Sequence, residues 1–266
     1  MNSILHGFYH TLPLWTKQQF GLTQFDFPEM AVDGIPAIDF PENLRLGHQM
    51  EYVFKHLVGM AQDYEVVLSN ILIDEGKTRI GELDFILKNT NTQKYIHVEL
   101  AYKFYIINPE ISEPIYRLMG PNRRDMFHTK LDKLKAKQLP LLFHNGLAPY
   151  WEALGIDPIE TEQQCCFKAQ LFEPYRENVS IRPLNTSCIV GKWLRFDDFN
   201  MPEFRHYHYY IPRKREWVIV PHENVGWKSH YETVLDVNLS MVKENAPMLW
   251  IRKSTATIEK VFVVWW

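Results

Sequence analysis

Alternation of apolar and polar residues runs the whole length of Tyr95–Ile107 (YIHVELAYKFYII). Ile96, Val98, Leu100, Tyr102, Phe104 and Ile106 fall on one face, all apolar or aromatic. Tyr95, His97, Glu99, Ala101, Lys103 and Tyr105 fall on the other. A period of two predicts a strand, with a buried face opposite one that carries ionisable groups. The preceding stretch Ile80–Leu87 (IGELDFIL) behaves similarly: Leu83, Phe85 and Leu87 share a face, and Glu82 and Asp84 share the opposite one with Ile80 and Ile86. Between them Lys88–Lys94 is polar and rich in Asn and Thr, so the two stretches read as a hairpin. Folding that hairpin puts Asp84 and Glu99 on the same side of a sheet, with Lys103 in the row of Glu99.

Upstream, residues 44–62 carry Leu46, Met50, Val53, Phe54, Leu57, Val58 and Ala61 at helical spacing, which predicts an amphipathic helix. Glu51 lies on its flank, with His48 three residues before it. Tyr64–Ile73 predicts a strand that ends in a turn at Asp74–Lys77, where Gly76 supplies the unusual dihedral. After a proline-containing loop (108–121), residues 123–138 predict a second helix. It is the most basic segment, with Arg123, Arg124, Lys130, Lys133, Lys135 and Lys137, and Gln138 closes it. Short helical turns are expected across 140–160, a fourth strand over Cys165–Phe172, and a hairpin pairing His206–Tyr210 with Trp217–Val220. Thr233–Met241 and Ala246–Ile251 fit either period. Residues 1–43, aromatic and proline-containing, read as an arm that packs across a surface, being too apolar for a free tail.

Composition narrows the classes. At 266 residues with 46% hydrophobic content, one large domain, or one domain with an appendage, with a sizeable core is expected. The net charge of −3 is not that of a protein that coats duplex DNA non-specifically, so any nucleic-acid contact must use a local basic patch. Three cysteines, two of them adjacent, give neither a disulfide framework nor a zinc spacing and suit a reducing, cytoplasmic compartment. No signal-peptide pattern opens the chain, and no stretch approaches 18 uncharged apolar residues, so no membrane span is expected.

A sheet face with Glu82, Asp84, Glu99 and Lys103 can be a solvated face with cross-strand ion pairs. It can also be a metal site. Glu82 and Asp84 repel each other without a compensating cation, and Mg²⁺ takes one or two carboxylates plus phosphate oxygens. Asp84, Glu99 and a lysine on the same strand face resemble the PD-(D/E)XK nuclease superfamily, with Gly81-Glu82-Leu83-Asp84 similar to its G-E-hydrophobic-D half. The second half departs from the pattern. Ala101 stands at the usual lysine position, and Lys103 lies two residues on, about 6.6–6.8 Å further along the strand. His97–Tyr105 (HVELAYKFY), Gly120–Asp125 (GPNRRD), Lys130–Leu134 (KLDKL), Gln138–Leu141 (QLPL), Ile211–Trp217 (IPRKREW) and the closing Phe262–Trp266 (FVVWW) together resemble a bacterial domain-of-unknown-function family placed in that superfamily. The match runs from about Leu44 to the C-terminus.

The resemblance implies an α/β fold: a restriction-endonuclease-like core of helix, three strands, helix and strand on a mixed sheet. The expected parts are an N-terminal arm (1–43), the core (44–175) and a β-rich C-terminal elaboration (176–266) packed on it. It implies Mg²⁺ or Mn²⁺ held by Asp84, Glu99 and the Leu100 carbonyl, with Glu51 assisting and Lys103 orienting water or stabilising charge on the phosphate. Glu82, His97, His48 and Gln138 are possible additions. Arg123, Arg124, Lys130, Lys133 and Lys137 are the expected phosphate contacts. Three functions stay open: a metal-dependent nuclease with a nucleic-acid substrate, DNA more than RNA; a non-catalytic module of the same fold that binds a protein or nucleic acid; and a hydrolase of another phosphate ester.

Overall fold

The computed structural model describes residues 4–36, 38–41, 44–254 and 257–266; residues 1–3, 37, 42 and 43 of the expected arm lie outside the described residues. The main elements in chain order are α1 (Leu46–Met60), β1 (Tyr64–Glu75), β2 (Thr78–Asn89), β3 (Tyr95–Ile107), α2 (Phe127–Lys133), β4 (Glu162–Pro174), β5 (Ile189–Arg195), β6 (His208–Tyr210), α3 (His230–Val242), β7 (Met248–Ser254) and β8 (Thr257–Val264). The protein is α/β. It divides into two compact units, one of Met1–Leu12, Lys103–His128 and Ala169–Trp266, the other of Pro13–Tyr102 and Thr129–Lys168. Strands β3 and β4 each run through both, and residues 176–266 fall wholly within the first.

In the second unit β1, β2 and β3 form an antiparallel meander. Its core gathers Ile73, Leu83, Ile86, Leu141, Leu142, Leu147, Trp151 and Ile156. Helix α1 buries Met50, Val53, Phe54, Leu57 and Val58, the stripe its spacing predicts. Phe54 meets Phe85 of β2 at 4.6 Å, and Phe25 from the N-terminal segment packs on Phe54 at 5.7 Å. That segment also bonds to β4 through its backbone: the Leu14 amide donates to the Phe167 carbonyl at 3.0 Å and the Phe25 amide to Cys165 at 2.9 Å. Gly81 lets β2 pass close to the turn that follows the second helix. A Cβ there would stand 2.7 Å from Leu141 Cδ1.

The first unit has a mixed sheet. β4, β5 and β8 pair in parallel, and β7 pairs antiparallel with both β8 and β6. Its core includes Phe199, Phe204, Tyr209, Val237, Leu249, Val261 and Val263. The ambiguous stretch at 233–241 is helical, because Ser229 and Glu232 form a reciprocal capping box at the start of α3.

The fold departs from two sequence expectations. His208–Tyr210 does not form a hairpin with Trp217–Val220. Glu216 accepts the Arg213 amide at 2.7 Å and the Tyr210 hydroxyl at 3.0 Å, closing a 3₁₀ turn over Lys214–Trp217, and β6 pairs with β7 instead. The second helix starts at Phe127 rather than at 123. Arg123 takes a left-handed φ of 57° in a tight turn closed by bonds to Gly120, so Arg123 and Arg124 precede the helix.

Candidate metal and phosphodiester site

The β2–β3 ladder runs from Lys88↔Tyr95 to Phe85↔Val98, which aims Asp84 and Glu99 at each other one residue further on. There side-chain bonds replace backbone ones. Asp84 Oδ2 accepts the Leu100 amide at 2.8 Å, and Glu99 Oε1 lies 3.5 Å from the Asp84 amide. Glu99 is fully buried and Asp84 is 8% exposed.

Neutral donors hold Glu99. His97 Nε2 sits 3.0 Å from its Oε1, and Gln138 Nε2 donates to its Oε2 at 2.5 Å. The tautomer of His97 follows from its other side: the Gln163 amide, which also donates to the Leu139 carbonyl at 2.6 Å, approaches Nδ1 at 3.4 Å. Nδ1 therefore accepts, and Nε2–H donates to Glu99. Gln138 is oriented in turn by Lys130, whose ammonium donates to its Oε1 at 2.6 Å. A π-helical turn over Leu134–Gln138 re-aims Gln138 after α2, and such turns mark functional sites.

Burial dominates the electrostatics. It pushes the Asp84 carboxyl well above its usual range, with the neighbouring Glu99 charge adding to the effect. Burial raises Glu99 to about 7, against the steadying charge of Lys130. Burial lowers His97 to about 4, so the imidazole is neutral. Two adjacent desolvated carboxylates facing neutral donors are short of positive charge.

A second acidic group lies on the same unit. Asn70 Nδ2 bridges Glu51 at 2.7 Å and Glu82 at 3.0 Å. His48 Nδ1 is 3.1 Å from Glu51, which holds the imidazole above its ordinary range. Leu44, His48, Glu51, Tyr52, Lys55, Asn70 and Glu82 line a pocket of about 360 Å³. Asn70 has a φ of 55° in mid-strand, between the Ser69↔Phe85 and Ile71↔Leu83 pairs and so level with Asp84. A left-handed residue inside a strand is strained, and such strain gathers at functional sites.

The sequence-predicted residues therefore sort into groups. Asp84, Glu99, His97 and Gln138 meet in one place; Leu100, expected there through its carbonyl, bonds Asp84 through its amide, and Lys130 joins them from the expected phosphate contacts. Glu51, Glu82 and His48 meet around Asn70. Lys103 makes an ion pair with Asp125 at 2.6 Å. Lys133, Lys137 and Arg124 are exposed, and the Arg123 guanidinium lies over the Trp266 ring at 4.9 Å. Sequence reasoning missed Asn70 and Gln163; an Asn inside a strand pattern was the available signal for the first.

The chain matches the family described as a domain of unknown function, DUF1853, over residues 15–264. It belongs to that family. No curated protein and no solved structure matches it. Among the described residues no helix is long and apolar enough to cross a membrane.

Among the described residues no group of three or more His, Cys, Asp or Glu side chains is arranged as a cage. Two undercompensated carboxylates fit an ion of the Mg²⁺ type, which keeps most of its waters and uses one or two carboxylates.

A pH dependence follows. Asp84 and Glu99 have folded pKa values above their unfolded ones, so their stabilisation is full below the unfolded values and is lost as pH rises through the folded ones, about 7 for Glu99. His97 acts oppositely: its contribution is full above 6.5 and is lost as pH falls toward 4. The two carboxylates outweigh the single imidazole. Metal-free protein is expected to lose roughly 1 kcal/mol per pH unit from this cluster between about pH 4.5 and 7. Asp84→Asn should flatten that dependence in thermal melts across pH. Parallel melting curves for the two proteins would place the charge imbalance elsewhere.

Proposed function

We propose that this chain is a metal-dependent nuclease of the PD-(D/E)XK type that hydrolyses phosphodiester bonds, in DNA more than in RNA. The observation that carries the reading is the Asp84–Glu99 pair: two buried, adjacent carboxylates fixed by neutral donors. The order α1, β1–β3, α2, β4 supports it as the restriction-endonuclease-like arrangement. Asp84 and Glu99 would hold Mg²⁺ or Mn²⁺, with the Leu100 carbonyl as a further oxygen. A divalent ion held there would supply Lewis-acid charge neutralisation to a phosphate. His97 and Gln138 keep the Glu99 carboxylate in one orientation. Lys130 supplies positive charge on the Glu99 side for the charge that develops on phosphate. Glu51 and Glu82, bridged by Asn70, extend the acidic face. Lys103 is occupied by Asp125, so the charge that Ala101 leaves out is assigned to Lys130.

One observation favours the alternative, a non-catalytic module of the same fold: Ala101 has no ammonium to offer, and the nearest strand lysine is ion-paired. Incubation with single-stranded, duplex and branched DNA and with RNA, with and without Mn²⁺, separates the two. Cleavage that requires the ion is expected. Binding without cleavage of any substrate selects the module.

The exposed basic side chains carry a separate prediction. Lys133 and Lys137 are proposed to contact phosphates. Replacing both with Ala should lower the salt slope of nucleic-acid binding by about 2 units, since each phosphate contact contributes about 0.9. A filter-binding series from low to moderate salt reads this directly. An unchanged slope places the contact surface elsewhere.

A further inference from the structure

Lys260 occupies an apolar position of a strand. Along β8 it alternates in the row of Ile258 and Phe262, while Val261 and Val263 face the other way into the core. It is 5% exposed. Its ammonium donates to Gln170 Oε1 at 2.8 Å and to the Trp217 carbonyl at 2.6 Å, both neutral acceptors. The Gln170 amide is fixed because its Nε2 donates to the Val218 carbonyl at 3.1 Å. Among the described residues these are the acceptors it meets, and a buried ammonium with neutral acceptors is costly, because no charge offsets its lost hydration. Burial alone pulls Lys260 down to about 7.

Lys260 and Gln170 also line a pocket of about 330 Å³. The rest of its wall is mostly apolar, with Leu12, Val190, Val218, Val220, Pro221 and Ile258, and Thr11 and His10 add polar atoms. A small-molecule site is a largely apolar concavity with a few placed polar groups, at about this lower limit of size. We propose that this pocket binds a small monocarboxylate with an apolar body, its carboxylate paired with the Lys260 ammonium and its body against the aliphatic wall. One buried cation with neutral amide neighbours matches one negative charge; a phosphate dianion would leave a second charge buried without a partner. Its lining residues all belong to the first unit.

Calorimetry at pH 8 tests it, with hexanoate and benzoate as probes and hexanamide as the uncharged control. Because burial keeps much of Lys260 deprotonated at that pH, carboxylate binding should take up a fraction of a proton. Titrations in Tris and in HEPES, whose ionisation enthalpies differ, read that uptake. The expected result is saturable binding of at least one carboxylate, proton uptake, and hexanamide at least about tenfold weaker. Lys260→Met, which keeps the stem and removes a costly buried charge, should fold and lose carboxylate affinity by about tenfold or more. Absence of saturable carboxylate binding to the wild-type protein overturns the proposal. Equal binding of the amide, or binding without proton uptake, overturns it too, and neither result depends on a variant.

Discussion

Asp84→Ala is expected to abolish Mn²⁺ binding in a calorimetric titration at pH 8. Asp84 Oδ2 is committed to the Leu100 amide, and Glu99 has both oxygens engaged by His97 and Gln138. Neither carboxylate can swing to complete the proposed site alone, so losing one is expected to abolish ion binding there. The same change removes a carboxyl that burial and the neighbouring Glu99 charge hold well above its usual range, so its ionisation no longer costs stability at pH 8. The metal-free variant should therefore be at least as stable as the wild type at pH 8, the usual pattern when a strained functional charge is deleted. Loss of binding with retained or raised thermal stability is the expected pair of results. Equal binding by wild type and variant would remove the metal from this pair.

Lys130→Met should fold, keep its metal, and lose cleavage by about 10²–10³, the usual loss when one placed electrostatic group is removed. Two effects combine there. The ammonium itself goes, and Gln138 Oε1 loses the donor that holds the amide toward Glu99. Lys103→Met is the matched control. Its pair with Asp125 is partly exposed, and such pairs contribute about 0–1 kcal/mol. Lys103→Met should thus leave cleavage within a few-fold of wild type. The reverse outcome, with Lys103→Met inactive and Lys130→Met active, would return the catalytic charge to the strand.

Much of this arrangement is legible without coordinates. Period two over Tyr95–Ile107 marks that strand from end to end, and the same arithmetic brings Asp84 opposite Glu99. The apolar stripe of α1 names its buried residues. What periodicity cannot show is burial of both strand faces. Glu99 and His97 lie on the row expected to be the ionisable face, yet both are fully buried, because other segments of the chain cover that side. Nor does period two reveal a left-handed residue such as Asn70, where the ladder is interrupted level with Asp84. The basic segment misleads for a related reason. Composition groups Arg123, Arg124, Lys130, Lys133 and Lys137 as one surface, but the turn at Gly120–Asp125 delays the helix, and Lys130 is spent on Gln138 rather than left to solvent. The partner of β6 is non-local, and the tight turn capped by Glu216 defeats the local hairpin rule.

The most direct test of the central claim is cleavage of single-stranded, duplex and branched DNA and of RNA by wild-type protein and Asp84→Ala, side by side, with Mn²⁺ and with chelator. The account predicts Mn²⁺-dependent cleavage of at least one substrate by the wild type, absent with chelator and reduced by at least about 10²-fold in Asp84→Ala. Cleavage that persists in Asp84→Ala, or a wild type that binds Mn²⁺ and nucleic acid but cuts none of these substrates, would contradict it.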